Sequence, residues 1–151
     1  AMAETFKDME TAVRAIAVEL DMGMVCFLNS DTLEMESVPG PSYGSYEDGD
    51  FGEGCREIYG RVACWKKCVR IDPSETWESF DIMEGFIREC VPDNASSIGK
   101  QLRYAISGRK PFRNFKRVID RSVYRQNWFD FKQSRLERMA ADVLGYAADG
   151  M

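Results

Sequence analysis

The stretch MVCFLNSDTLEMESV, residues 24–38, decides the fold class of this chain. Two runs rich in strand-forming residues flank Asn29-Ser30-Asp31, a cluster of residue types that favour turns. This arrangement predicts a β-hairpin. In its second strand apolar residues alternate with Glu34 and Glu36. We therefore expect the two glutamates to face solvent and the apolar residues to face a core.

An amphipathic helix is predicted before the hairpin, over residues 4–21. Apolar side chains recur there at helical spacing, notably at Val13, Ile16 and Leu20. Gly23 follows the last of them, and glycine is the residue type that most often ends a helix.

Residues 39–54 separate the hairpin from a second predicted β region. They hold five glycines, two prolines and four acidic residues, a composition that predicts a loop. Apolar residues then recur at period two over residues 63–71, which predicts a strand. A turn at Asp72-Pro73-Ser74 leads into a short predicted strand at 75–78.

Helical periodicity dominates from residue 79 onward, and four helices are predicted there. The first covers residues 79–90 and carries a possible capping box at Asp81 and Glu84. Pro92-Asp93-Asn94 separates it from the second helix, which ends at Gly108.

The third and fourth of these helices follow Gly108. Pro111 suits the first turn of the third helix because a proline there sacrifices no intrahelical hydrogen bond. The apolar face of that helix consists of Phe112, Phe115, Val118 and Ile119. The fourth helix is predicted over Tyr124–Tyr146.

These elements predict an α+β fold, because the strands do not alternate with helices. The order is an N-terminal helix, a small antiparallel sheet built as a hairpin or meander, and a C-terminal bundle of about four helices. We expect residues 1–151 to form a single domain, since this length is close to the commonest domain size. No apolar run approaches the ~18–20 residues of a membrane span.

The composition excludes several chemistries. Histidine is absent, which rules out the Ser-His and Cys-His triads and every zinc site that requires imidazole. The five cysteines are odd in number and lie in segments predicted as core elements. We therefore expect free, mostly buried thiols in a reducing compartment. No signal peptide is predicted, so we expect a cytoplasmic protein.

Several motifs of the C-terminal half occur together, in the same order and spacing, in one bacterial family. They are Phe80-Asp81-Ile82-Met83-Glu84-Gly85-Phe86-Ile87, Leu102 with Ala105-Ile106 and Gly108, Phe112-Arg113-Asn114-Phe115-Lys116, and Trp128 with Phe131. Over about residues 75–145 the chain therefore resembles uncharacterised protein family 0158. The resemblance implies this fold and a bacterial origin, and it implies no activity, cofactor or site residue.

Charge is segregated along the chain. Residues 1–99 hold 20 acidic and 8 basic residues, whereas residues 100–151 hold 5 and 12. Arg113, Arg117 and Arg121 are four residues apart, so they share a helix face, opposite the phenylalanines. The predicted anion- or partner-binding residues are Arg109, Lys110, Arg113, Lys116, Arg117 and Arg121.

Two interpretations of these cations stay open. They could form a solvated helix face that the acidic half of the chain partly neutralises, and the net charge of −5 favours this interpretation. Alternatively, they form a face that binds an acidic protein or a nucleic acid.

Three classes of function follow from the sequence. The preferred hypothesis is a non-enzymatic interaction or regulatory module that uses the basic helical face. One alternative is a nucleic-acid-binding accessory protein. The other is an enzyme with carboxylate or oxygen-ligand metal chemistry, built from Asp72, Glu75, Glu78, Asp81 and Glu84. No catalytic residue, metal ligand or cofactor is predicted with the preferred hypothesis. We expect no membrane association, and either a monomer or a homodimer.

Overall fold

The computed structural model describes residues 3–43, 49–91 and 97–146. The chain groups into two compact units, one of residues 1–73 with 136–151 and one of residues 74–135. The first unit contains the β-sheet, and the second is built of helices. The predicted α+β class is confirmed. The expectation of one domain stays a prediction.

The sheet of the first unit has four antiparallel strands in the order β1-β3-β2-β4. The strands are β1 (Glu4–Thr5), β2 (Met24–Asn29), β3 (Glu34–Pro39) and β4 (Cys68–Ile71). The predicted hairpin corresponds to β2 and β3, with Phe27 opposite Glu36. Asn29 fixes its turn, because the side-chain oxygen accepts hydrogen bonds from the N–H groups of Asp31 and Thr32 at 3.0 and 3.2 Å.

Helix α1 spans Met9–Asp21 and begins later than predicted. Glu4–Thr5 pair with β3 as a short strand. Asp8 accounts for the boundary, since its carboxylate accepts a hydrogen bond from the backbone N–H of Thr11 at 2.8 Å and so caps the helix. Hydrogen bonds from the hydroxyl and N–H of Thr11 lower the pKa of Asp8.

Gly23 ends this helix region, as predicted, with a φ of +84° that favours glycine. Its carbonyl oxygen accepts a hydrogen bond from the N–H of Gly40 at 3.0 Å. A Cβ on Gly40 would lie only 2.3 Å from that oxygen, so the close approach of the two backbones requires glycine at residue 40.

Helix α2, which spans Gly49–Ala63, corrects the prediction of a loop over 39–54. Residues 49–54 are helical, whereas residues 44–48 lie outside the described part of the chain. Each glycine disfavours a helix by about 1 kcal/mol. The apolar stripe between Cys55 and Val62 nevertheless packs against the sheet, and this burial outweighs the weak propensity.

The expectation that Glu36 faces solvent is wrong, because α2 covers that face of the sheet. Glu36 is only 7% exposed, and Arg61 of α2 binds both of its carboxylate oxygens. Cys26 and Leu28 point to the other face by the alternation of β2 and are fully buried. The central strand is therefore buried on both faces, which explains its continuous apolar run.

Two shorter strand predictions also need correction. The strand predicted over 63–71 is limited to β4, and Ala63 is the last residue of α2. Residues 75–78 are not a strand, because α3 begins at Thr76. Glu75 and Glu78 cap that helix reciprocally, so the capping box lies earlier than the one predicted at Asp81.

The second unit contains the four helices predicted for the C-terminal half. They are α3 (Thr76–Cys90), α4 (Ser97–Ser107), α5 (Pro111–Asp120) and α6 (Arg125–Leu144), of which α6 continues past residue 135. The predicted break at Pro92-Asp93-Asn94 lies outside the described residues. The buried core consists of Met83, Phe86, Ile87, Val91, Leu102, Phe115 and Ile119. Within the described ranges, none of the helices combines the length and the apolar character needed to span a bilayer.

Candidate anion-binding site

Helix α5 and the turn before it carry the predicted binding residues. Lys110 adopts a left-handed backbone with a φ of +51°, which is uncommon for a residue other than glycine. Pro111 then opens the helix at its first turn, as predicted. The side-chain amide of Asn114 donates a hydrogen bond to the carbonyl oxygen of Arg109 at 2.8 Å, which ties the turn to the helix.

The apolar face of α5 is anchored in the core of the second unit. Phe115 and Ile119 are essentially fully buried. The Phe115 ring meets Trp128 edge-on at a centroid distance of 4.8 Å and Phe86 at 6.4 Å. Phe112, which the sequence placed on the same face, is 39% exposed. The prediction that phenylalanines anchor this helix is thus confirmed for Phe115 and wrong for Phe112.

The opposite side of α5 is a continuous basic surface. Arg113, Arg117 and Arg121 are four residues apart, so their side chains are neighbours on the helix surface. Like charges at this spacing destabilise a helix by a few tenths of a kcal/mol per pair, about 0.2–0.5 kcal/mol. The six predicted cations are all exposed, and together they are called here the α5 cationic face: Arg109, Lys110, Arg113, Lys116, Arg117 and Arg121.

No described carboxylate lies within ion-pairing distance of any residue of the α5 cationic face. The nearest acid in sequence, Asp120, lies 3.8 Å from the guanidinium of Arg125. The repulsion within the face is therefore not relieved by described acidic side chains. An external anion would relieve it.

A cavity of about 460 Å³ opens beside this face, within the second unit. α4 packs against α5, and the cavity lies near the amino end of α4 and the carboxyl end of α5. Arg117 and Arg121 line it. Two of the six predicted residues thus reach a concave site, whereas the other four are not among its lining residues.

The remaining walls of the cavity are mostly apolar. Ile98, Val118 and Tyr124 line it and also pack against the core of the second unit, which holds them in place. Gln101 adds an amide, whose nitrogen donates a hydrogen bond to the Ser97 hydroxyl at 3.1 Å. This lining can accommodate a phosphate-sized anion, which would contact the two guanidinium groups and lie beside the apolar wall.

The five carboxylates proposed for an enzyme are engaged in local structure or exposed. Glu75 and Glu78 form the capping box of α3, and Glu75 also accepts a hydrogen bond from the Trp77 indole at 2.7 Å. Asp72 pairs with Arg70 at 3.0 Å. Asp81 and Glu84 are exposed on α3. In the described part of the chain, no cluster of three or more Cys, Asp or Glu side chains could hold a metal ion.

The cysteines divide into buried and exposed thiols, and none forms a disulfide. Burial raises the pKa of Cys26 to about 12 and also raises the pKa of Cys55 and Cys90. These thiols therefore stay protonated near neutral pH and are poor nucleophiles. Cys64 and Cys68 are exposed, so the expectation of mostly buried thiols is wrong for these two.

The model of one protein family, described as an uncharacterised protein family (UPF0158), matches residues 64–147, more than half of the chain. The chain belongs to this family. Its Pseudomonas aeruginosa PAO1 member, named UPF0158 protein PA5073, is 31% identical over 80 residues, which cover 52% of this chain and 50% of the relative. The chain thus matches about half the length of that relative. No solved structure matches it.

The matched region of the family contains all of α3, α4 and α5, and therefore both the α5 cationic face and the cavity. The cations are evident in the sequence as charges at helical spacing, whereas the cavity and its apolar wall are not. Ile98 and Tyr124 carry no signal of their own, because apolar residues at helical spacing are expected in any core. The contact between α4 and α5 is what brings them beside Arg117 and Arg121.

Proposed function

We propose that the protein is a non-enzymatic interaction module that binds an anionic partner through the α5 cationic face. One observation carries the proposal: six exposed cations lie on one short helix and its flanks, and no described carboxylate pairs with them. A face that the protein neutralised by direct ion pairs would show such pairs, whereas solvent and salt alone would only screen it. Their absence among the described residues favours an external partner.

The packing of α5 supports the same proposal. Phe115 and Ile119 hold the helix against the core, so the cations stand on a rigid element. Binding then costs little backbone ordering, which is the advantage of a preorganised surface. The arginines spaced four residues apart repel one another, and an anion that neutralises them on binding stabilises the complex.

Electrostatics predict how such binding behaves. The chain as a whole carries a net charge of −5, so attraction to a polyanion must come from the local face and not from overall charge. Contacts between exposed cations and phosphates release counterions, and the affinity therefore falls steeply with salt. An acidic protein segment would show a milder dependence, because it lacks the condensed counterions of a nucleic acid.

Fluorescence anisotropy with labelled partners tests the proposal. The partners are a short single-stranded RNA, a DNA duplex and an acidic peptide, each at about 50 and about 200 mM salt. We expect binding at low salt. Arg113→Glu combined with Lys116→Glu should abolish it while the circular dichroism spectrum stays helical.

A matched control separates this local effect from net charge. Lys7→Glu combined with Lys66→Glu changes two exposed lysines outside the second unit and lowers the net charge equally. This variant should retain binding. If no anionic partner binds the unmodified protein at low salt, or if both double variants lose binding equally, the proposal is wrong.

A further inference from the structure

The cavity beside α5 offers more than a charged surface. A flat basic face can attract any polyanion, whereas a concave site can also contact the uncharged part of a ligand. The volume of about 460 Å³ lies within the range of roughly 300–1,000 Å³ that is usual for small-molecule sites. A cavity of this size leaves room for a ligand larger than an inorganic ion.

The polar part of the lining indicates a phosphate group. Arg117 and Arg121 are one helical turn apart, so their guanidinium groups can approach one oxyanion from two directions. Guanidinium groups bind phosphate with paired, charge-assisted hydrogen bonds, and arginine suits this role better than lysine. Neither arginine pairs with a described carboxylate. Both are therefore available to a ligand without breaking a described ion pair.

The apolar part of the lining indicates what is attached to the phosphate. Tyr124 offers an aromatic ring, and Ile98 and Val118 add aliphatic surface next to it. All three are partly buried and rest on the core of the second unit, so the wall is preformed. Aromatic rings stack favourably on nucleobases, and they do so on every base because each base has a flat π face.

We propose that the cavity between α4 and α5 binds a nucleotide, with its phosphate on Arg117 and Arg121 and its base against Tyr124. The proposal deepens the proposed function, on which it rests, because these two arginines belong to the α5 cationic face. The nucleotide is either a free mononucleotide or one residue of a single-stranded nucleic acid. Both present the same phosphate and base to the cavity.

Calorimetric titrations of the full chain with defined ligands test this site. The ligands are the four 5′-mononucleotides, the corresponding nucleosides, inorganic phosphate and a single-stranded oligonucleotide. We expect mononucleotides to bind at least about tenfold more tightly than nucleosides, because a nucleoside loses the charged hydrogen bonds. Inorganic phosphate should bind more weakly than a mononucleotide, because it leaves the apolar wall uncovered.

The oligonucleotide distinguishes the two sources of the nucleotide. An affinity far above that of mononucleotides, with a steep dependence on salt, assigns the site to single-stranded nucleic acid. An affinity no greater than that of mononucleotides assigns it to a free nucleotide. Both results support the proposed cavity ligand.

Substitutions assign the ligand to the cavity. Arg117→Gln and Arg121→Gln should each weaken mononucleotide binding by about tenfold to hundredfold. Arg138→Gln, at an exposed arginine of α6 outside the second unit, should leave the affinity unchanged. Tyr124→Leu should weaken mononucleotides but not inorganic phosphate. Circular dichroism of every variant checks that the helices are retained.

The results that overturn the proposal differ from those that overturn the proposed function. If mononucleotides bind no better than nucleosides, or if Arg117→Gln and Arg121→Gln leave their affinity unchanged, the nucleotide site is wrong. Polyanion binding that still depends on Arg113 and Lys116 would then leave the proposed function intact. Binding of the acidic peptide alone would also reject the nucleotide site while supporting an interaction face.

Discussion

Replacing Phe115 with alanine should destabilise the second unit strongly. Phe115 is only 1% exposed, and its ring forms edge-on contacts with Phe86 and Trp128. Phenylalanine-to-alanine changes in cores cost about 3–5 kcal/mol, and this total already includes the lost aromatic contacts. We therefore expect a loss near 4 kcal/mol and a fall in melting temperature of about 10–20 °C.

Arg113→Ala is the control on the opposite face of the same helix. Arg113 is exposed and pairs with no described carboxylate, so its loss should change the free energy of unfolding by less than about 0.5 kcal/mol. Thermal unfolding followed by circular dichroism compares the two variants directly. If Arg113→Ala proved the more destabilising change, the basic face would be internal and the phenylalanine face exposed, which would remove the basis of the candidate site.

Three further predictions concern the first unit. Because burial raises the pKa of Cys26 from 9.0 to about 12, the unfolded state ionises first as the pH rises. The free energy of unfolding should then fall by about 1.4 kcal/mol per pH unit between about pH 9 and 12. Urea titrations should show a slope that is steeper in the unmodified protein than in Cys26→Ala by about this amount, because Cys55 and Cys90 contribute equally to both proteins, and an equal slope in both would contradict the prediction. A thiol reagent should modify exposed Cys64 and Cys68 in the native protein and Cys26 only after unfolding, as peptide mass spectrometry would show. Early labelling of Cys26 would mean that the strand is not buried. Arg61→Met should lower the melting temperature more than the double change Glu36→Met with Arg61→Met, because the single change leaves a buried carboxylate unpaired. The reverse order would indicate that water solvates Glu36.

The helices of the second unit could be predicted because their apolar stripes are regular. Phe115 and Ile119 are four residues apart and are both buried, and Pro111 opens their helix as its backbone preference dictates. The start of α3 differs from the prediction, because residues 75–78 were predicted as a strand. In the structure Glu75 and Glu78 form a capping box that begins the helix there. Boundaries depend on a few side-chain hydrogen bonds, and periodicity does not register them.

Helix α2 could not be predicted, because its glycines give it a low helix propensity. It forms because Cys55 and Val62 bury their side chains against the sheet, which is a tertiary effect. Because α2 was not predicted, Glu36 was predicted to be exposed, although α2 buries it. Without α2 in place, nothing in the sequence indicates that Arg61 would cover that strand face.

The candidate site also has a part that the sequence predicts and a part that depends on tertiary packing. Charge and helical spacing are local properties, so Arg113 and Arg117 could be assigned to one exposed face from the sequence. The cavity requires α4 to pack against α5, which brings Ile98 and Tyr124 together across more than twenty residues of chain. Periodicity could assign those two only to the core.

The salt dependence of affinity for a single-stranded nucleic acid bears most directly on the α5 cationic face. The logarithm of the binding constant should fall linearly with the logarithm of salt concentration, with a slope of about −0.7 for each phosphate contact. Six contacts would give a slope near −4, and neutralising Arg113 or Lys116 with glutamine should reduce its magnitude by about 0.7 each. A slope near zero, or a slope that these substitutions leave unchanged, would contradict binding through this face.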